Sequence, residues 1–205
     1  MLEIYTKNIN GTWFAVACSQ QKVITTSFGE TQQSALNHIL SNLPNNMSYQ
    51  VLHQPTNFAE TTIAVLKTVY DGKDVDLKLQ LDTADLSVYT RKVLKITSRI
   101  PVGFVSSYGA ISKVAGGSPR AVGNVMAANP FVPIIPCHRV VKSDLTLGNY
   151  GGGVNVKFEL LGRERRGFTT SKTILVNDKK LQVFPVELVL KNLTLTSAWA
   201  NNKCM

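Results

Sequence analysis

Hydrophobic and polar positions alternate at the two-residue period of a strand through the opening of the chain. Leu2 to Lys7 predicts a first strand, Asn10-Gly11 a hairpin turn and Thr12 to Ser19 a second strand. Asn-Gly suits the left-handed backbone of a two-residue turn. Gln20-Gln21 turns the chain again before a third strand, Lys22 to Phe28. The period then lengthens. Ala35, Leu36, Ile39 and Leu40 share one face of a helix over Thr31 to Leu40, with Thr31 as its cap, and Leu43-Pro44-Asn45-Asn46 breaks it. Phe58 to Tyr70 predicts a second helix, closed by Asp71-Gly72. Asp74 to Asp82 alternates as a short strand or an extended linker, and a domain boundary is expected within Asp71 to Asp85.

Helical spacing returns at Leu86 to Arg99, with Val93, Leu94, Ile96 and Ile100 as the apolar positions and Ile100-Pro101-Val102-Gly103 as the stop. Ser107 caps a helix over Tyr108 to Val114, and Ala115-Gly116-Gly117 turns the chain. Ser118 then caps and Pro119 opens a helix from Arg120 to Ala128, ended by Asn129-Pro130. Two short helices around a glycine turn have helix-turn-helix character. The second carries small residues, Ala121, Gly123, Ala127 and Ala128, which suit either a close approach to a groove or tight packing on another helix. Thr173 to Val176 and Lys180 to Phe184 flank Asn177-Asp178-Lys179 as a hairpin, and Val186 to Trp199 predicts a closing helix.

The pattern is α+β. A small N-terminal antiparallel sheet with helices is expected over 1–82, a mainly helical domain with the helix-turn-helix over 83–167, and an extension over 168–205. No apolar run approaches the roughly 18 residues of a membrane span, and Met1 to Ile9 reads as a strand rather than a secretion signal. A cytoplasmic protein of a prokaryote, or a nuclear one of a eukaryote, is the expectation, and a monomer.

Charge changes the picture once it is located. The net +9 is unevenly spread: residues 1–90 carry five basic and eight acidic side chains, Arg91 to Arg166 twelve and three, and residues 167–205 five and two. The excess falls on the segment with the helix pair, which suits a polyanionic partner. Three cysteines (Cys18, Cys137, Cys204) and three histidines (His38, His53, His138) at unrelated spacings form neither a disulfide framework nor a zinc pattern. No metal or cofactor is expected. Cys18, inside Trp13-Phe14-Ala15-Val16-Ala17-Cys18, reads as core.

The remaining cysteine stands beside a histidine in Ile135-Pro136-Cys137-His138-Arg139-Val140-Val141. Only a thiolate attacks, so a base must take the proton. Neighbours on an extended chain point apart. His138 is therefore expected to reach the sulfur through a water, with Glu164 orienting the imidazole.

With Asn129-Pro130 before it and Gly148-Asn149-Tyr150-Gly151-Gly152-Gly153 after it, this stretch resembles the O6-alkylguanine-DNA alkyltransferases, the methylated-DNA–protein-cysteine methyltransferases. Ser107-Tyr108-Gly109, Pro119-Arg120-Ala121-Val122-Gly123 and Leu160-Leu161-Gly162-Arg163-Glu164 extend the resemblance in order over about Leu86 to Gly167. It implies an N-terminal unit that is RNase H-like in outline and a single-use enzyme that flips an O6-alkylguanine out of double-stranded DNA. Cys137 would take the alkyl group, and His138, Glu164 and a water would relay the proton. Asn129 would tie the recognition helix to the active-site loop. Arg120 would fill the gap in the duplex and Tyr108 would rotate the phosphate and donate a proton near the guanine. Ser107, Ala121, Gly123 and Ala127 would meet DNA. Tyr108, Pro136, Asn149, Tyr150, Gly151 and Gly152 would line the pocket. Gly151 departs from the polar residue many members carry there. A lesion-recognition protein without transfer, a helix-turn-helix regulator and a cysteine hydrolase are the alternatives. The first lacks a cysteine that this chain has, and the second leaves the Cys-His-Glu set unexplained.

Overall fold

The computed structural model describes residues 1–43, 47–75 and 79–192. It is a mixed α+β chain that divides into two compact units, residues 1–91 with 128–135, and residues 92–127 with 136–205.

In the first unit, strands β1 (Leu2–Ile9), β2 (Thr12–Ser19) and β3 (Lys22–Gly29) form an antiparallel meander. Asn10 and Gly11, and then Gln20 and Gln21, hold positive φ, the conformation the two tight turns need. Helix α1 (Gln32–Ser41) starts at Thr31, whose hydroxyl accepts the Ser34 N–H in a capping box. It buries Ala35 and Ile39 against Leu2, Ile4, Ala15 and Ala17 of the sheet, whereas Leu40 lies exposed. A strand absent from the sequence expectation follows. β4 (Tyr49–Val51) pairs parallel with β1, so the sheet is mixed, in the order β3-β2-β1-β4, rather than wholly antiparallel. Three residues with two exposed side chains carry no readable alternation. Helix α2 (Asn57–Tyr70) is capped by Thr56. Of the segment expected as strand or linker, Leu81 makes one bridge to Val23, and residues 76–78 lie outside the described residues. Residues 128–135 belong here too: the Thr25 and Thr26 hydroxyls donate to the Pro130 and Val132 carbonyls at 2.7 and 2.9 Å.

Helix α3 (Val88–Thr97) leads into the second unit, and Ser87 caps it through the Thr90 N–H. The mainly helical domain also carries two short strands of a second four-stranded sheet, which the expected C-terminal hairpin completes. Strand β5 (Phe104–Ser107) is buried at all four positions, so it lacks the period-2 signal of a half-exposed strand. It runs straight into α4 (Tyr108–Ala115), which Ser107 caps. Gly116 and Gly117 then turn the chain at positive φ into α5 (Pro119–Ala127). After a 3-10 turn come β6 (Val140–Val141) and α6 (Val154–Arg163).

The hairpin β7 (Lys172–Val176) and β8 (Lys179–Pro185) turns at Asn177-Asp178, both at positive φ. β8 pairs with β5, so the C-terminal segment is woven into the sheet that carries the site. Residues 186–192 are helical, and the rest of the expected closing helix, 193–199, lies outside the described residues, as does Cys204. Val186 and Val189 complete a core with Val105, Val141, Leu147 and Leu161. Among the described residues no helix is long and apolar enough to cross a membrane.

Candidate active site

The chain at Cys137 is not extended. Cys137–Arg139 forms one 3-10 turn, and three residues per turn send successive side chains off about 120° apart. β6 follows at once and pairs parallel with β5 at Ser106 and Ser107, which fixes where the turn sits. All three side chains are buried.

His138 and Arg139 converge on Glu164, the C-cap of α6 and itself fully buried. His138 Nε2 lies 2.7 Å from Glu164 Oε1, and Arg139 Nε donates to both carboxylate oxygens at 3.0 Å. Arg139 also donates from a terminal guanidinium nitrogen to the Ile100 carbonyl at 2.6 Å. Burial alone would raise the Glu164 pKa, but the charges and hydrogen bonds of His138 and Arg139 bring it down to about 2. For His138 burial wins, and it lowers the pKa against the pull of Glu164, helped by Arg139 and Lys157. The imidazole is therefore neutral near pH 7. A carboxylate can only accept, so Nε2 carries the hydrogen and Nδ1 keeps its lone pair. Nδ1 is buried without a protein partner among the described residues. Such an atom is a base with its bonding capacity still open.

Lys157 was not singled out from the sequence, yet it is a central feature of the site. It is fully buried in α6, and its ammonium donates to the Val140 and Leu147 carbonyls, both at 2.6 Å. Burial lowers its pKa to about 8, while the Cys137 charge pulls it back up. The ammonium is also 5.9 Å from the centre of the Tyr108 ring. A signal was present: Lys157, Leu160, Leu161 and Glu164 recur at i, i+3, i+4 and i+7, so the face that buries two leucines buries two charges as well. Arg139 stood unassigned inside the motif.

Tyr150 hydrogen-bonds Cys137 through its hydroxyl, and burial, then the Cys137 charge and that bond, push its pKa well up. Tyr108 is pushed up by burial and by Cys137. Cys137 thus lies among two phenols and an ammonium in the second unit, 4% exposed. Gly148 packs under Tyr108, where a Cβ would come within 3.4 Å of the ring, at a φ of +69°. A Cβ on Gly151 would meet nothing within 4 Å, so that side of the loop is open. Asn149 and Gly152 are exposed beside it, and Pro136 is buried ahead of the turn.

Asn129 belongs to the first unit. Its amide donates to the Ile135 carbonyl at 2.8 Å and its oxygen accepts the Phe131 N–H at 3.1 Å, clasping the loop that leads to Pro136. On α5 the buried face is Val122, Val125 and Met126, which leaves Arg120, Asn124 and Ala127 exposed, with Ala121 and Gly123 half-buried. A Cβ at Gly123 would meet nothing within 4 Å, so its smallness does not serve close packing. Ser107 is buried and its hydroxyl accepts the Ala110 N–H.

Residues 88–166 match the family described as 6-O-methylguanine DNA methyltransferase, DNA binding domain. A methylated-DNA–protein-cysteine methyltransferase of Methanothermobacter thermautotrophicus is 42% identical over 100 residues, 48% of this chain and 57% of that protein. The chain therefore matches little more than half the length of that relative. One from Methanocaldococcus jannaschii is 36% identical over 131 residues, 62% of this chain and 78% of the relative. Among solved structures, the O6-methylguanine-DNA methyltransferase of Pyrococcus kodakaraensis superposes with a TM-score of 0.63 at 27% identity, covering 80% of this chain and 99% of that one. The Mycobacterium tuberculosis OGT in complex with DNA gives 0.64 at 25% identity, covering 80% and 92%. With the Pro-Cys-His-Arg turn held on Glu164 as described, the chain belongs to the methylated-DNA–protein-cysteine methyltransferase family.

Proposed function

We propose that this chain repairs double-stranded DNA by taking the alkyl group of O6-alkylguanine onto Cys137, once per molecule. The observation that carries the reading is the buried His138–Glu164 contact at 2.7 Å, which leaves Nδ1 as the open base one residue from the thiol. A water bonded to Nδ1 would pass the Cys137 proton to His138. The sulfur then attacks the alkyl carbon in line: the S–C bond forms, the C–O6 bond breaks, and the guanine leaves as its anion. Tyr108 protonates that anion, and the thiol proton makes good the loss, so the products are S-alkylcysteine and guanine. Tyr150 and Lys157 favour the thiolate electrostatically.

A base edge inside the stack is out of reach, so the nucleotide is flipped, at a cost of a few kcal/mol that a poorly paired lesion reduces. The pair α4 and α5 acts as a helix-turn-helix. Arg120 enters the duplex at the exposed start of α5, Ala121, Gly123 and Ala127 lie along the approach, Ser107 serves from beneath as the buried cap of α4 rather than as a DNA contact, and Asn129 ties α5 to the active-site loop. The base sits against Pro136, Asn149, Tyr150, Gly151 and Gly152. The N-terminal domain, residues 1–82, is RNase H-like in outline, a reading supported by the β3-β2-β1-β4 order with β4 parallel to β1. Residues 83–167 form the working domain and 168–205 an extension. The protein acts as a monomer, in the cytoplasm of a prokaryote or the nucleus of a eukaryote.

The test is a duplex carrying O6-methylguanine with a labelled methyl. Label should move to protein in equal amount to the chain and then stop. Continued turnover, or binding of the lesion without any transfer, would replace this reading with a hydrolase or a recognition protein respectively.

A further inference from the structure

The matched family region ends at residue 166, yet the β7–β8 hairpin beyond it reaches the helix pair. β8 pairs with β5 at Val105 and Phe104, the Ser106 hydroxyl donates to the Gln182 carbonyl at 2.7 Å, and the strand then runs beside α4. Its first residue, Lys179, places its ammonium 3.4 Å from the Val114 carbonyl in the last turn of α4. The hairpin tip therefore sits at the end of α4 from which Gly116-Gly117 turns into α5. Lys113 is exposed in that same last turn, and Gly116 to Arg120 are exposed after it.

We propose that Lys179 and Lys113 form a phosphate-binding pair that extends the DNA-contacting surface from the helix-turn-helix onto the C-terminal hairpin. This rests on the DNA-repair reading above. A lysine that bonds one backbone carbonyl has two further N–H donors to offer, and a cation held at a helix C-terminus is already oriented. Asp178 at the tip is the one nearby acid in the hairpin, and it precedes two lysines, so the tip stays net basic. Lys180 stands one residue on and so points to the opposite face of the strand, away from α4. Phosphate contacts of this kind position a duplex without reading its sequence. The hairpin would thus add affinity and register, not base choice.

The experiment measures binding of the full chain to an undamaged duplex across a salt series, beside alkyl transfer from a free O6-alkylguanine base. Lys179→Ala and Lys113→Ala should each flatten the slope of log affinity against log salt by about 0.9, and the double variant by about twice that. Lys180→Ala should leave the slope unchanged. Transfer from the free base should match the parent in all of them, which also shows that the fold survives. An unchanged slope in the double variant overturns the pair. So does an equal loss in Lys180→Ala, which would mean diffuse charge rather than a site. Failure of the parent to accept alkyl from any substrate would instead sink the repair reading, and the slopes on undamaged duplex would still decide the hairpin.

Discussion

His138 Nε2 lies 2.7 Å from Glu164 Oε1, and this bond decides which imidazole nitrogen keeps an open lone pair. The same carboxylate takes two bonds from Arg139 Nε. Glu164→Gln keeps the shape but removes the charge that holds both partners, so alkyl transfer should slow by roughly 10²-fold, as for a weakened acid–base group. Binding to undamaged duplex should change little. Glu164→Ala leaves Arg139 buried and unpaired, and should cost about 3–5 kcal/mol in denaturant unfolding. A Gln variant that transfers at the parent rate would remove His138 from the relay.

Acid should strip stability in two stages. The His138 pKa is lowered from 6.5 in the folded chain, so the unfolded chain takes up that proton first as pH falls. Glu164 is lowered from 4.5 to about 2, so its contribution is complete above 4.5 and is lost as pH drops toward 2. Both make the unfolded chain bind more protons, and stability therefore declines below pH 6.5 and more steeply below 4.5. Thermal unfolding against pH reads this, and Glu164→Gln should lose the lower stage. The acid limb of the transfer rate should also lie below 6.5, because His138 must be neutral to accept the proton. A limb above that value would mean an imidazolium stabilised by Glu164.

Lys157→Met should loosen the pocket loop. It removes the two donors that hold the Val140 and Leu147 carbonyls, and buried acceptors left unpaired cost about 1–3 kcal/mol each. Removing a buried charge returns part of that. A net loss near 2 kcal/mol is expected, with faster amide exchange at 147–153 and slower transfer from duplex and free base alike. Unchanged exchange would show that β6 and Leu161 suffice to hold the loop.

Arg120→Ala should separate the two substrates. Arg120 is exposed at the start of α5, whereas the Cys137 thiol is buried, so its loss should weaken repair in duplex by about tenfold or more while leaving the free base untouched. Equal losses on both would place it in the chemistry instead.

Much of this was legible in the residues. Turn chemistry at Asn10-Gly11 and Asn177-Asp178 placed two hairpins, and caps at Thr31, Ser107 and Ser118 placed three helices. Long-range pairing was not legible. β5 is fully buried and four residues long, so nothing local marks it as the strand that β6 and β8 flank. The water relay was expected on the ground that Cys137 and His138 diverge along an extended chain; they diverge instead because a 3-10 turn fans them apart. That turn also aims Arg139 at Glu164, a contact separated by 25 residues that no spacing rule reveals. Lys157 is not legible from its residue type, since most helical lysines are solvated. Its place on the leucine face of α6 was the exception to notice.

Cys137 is the proposed acceptor, and mass tests that directly. After reaction with an O6-methylguanine duplex, intact mass should show one added methyl per chain, and peptide mass should map it to Cys137. Cys137→Ala should gain nothing and leave the lesion in place. Methyl on Cys18 or on no residue, or repair of the lesion by the Ala variant, would contradict the account.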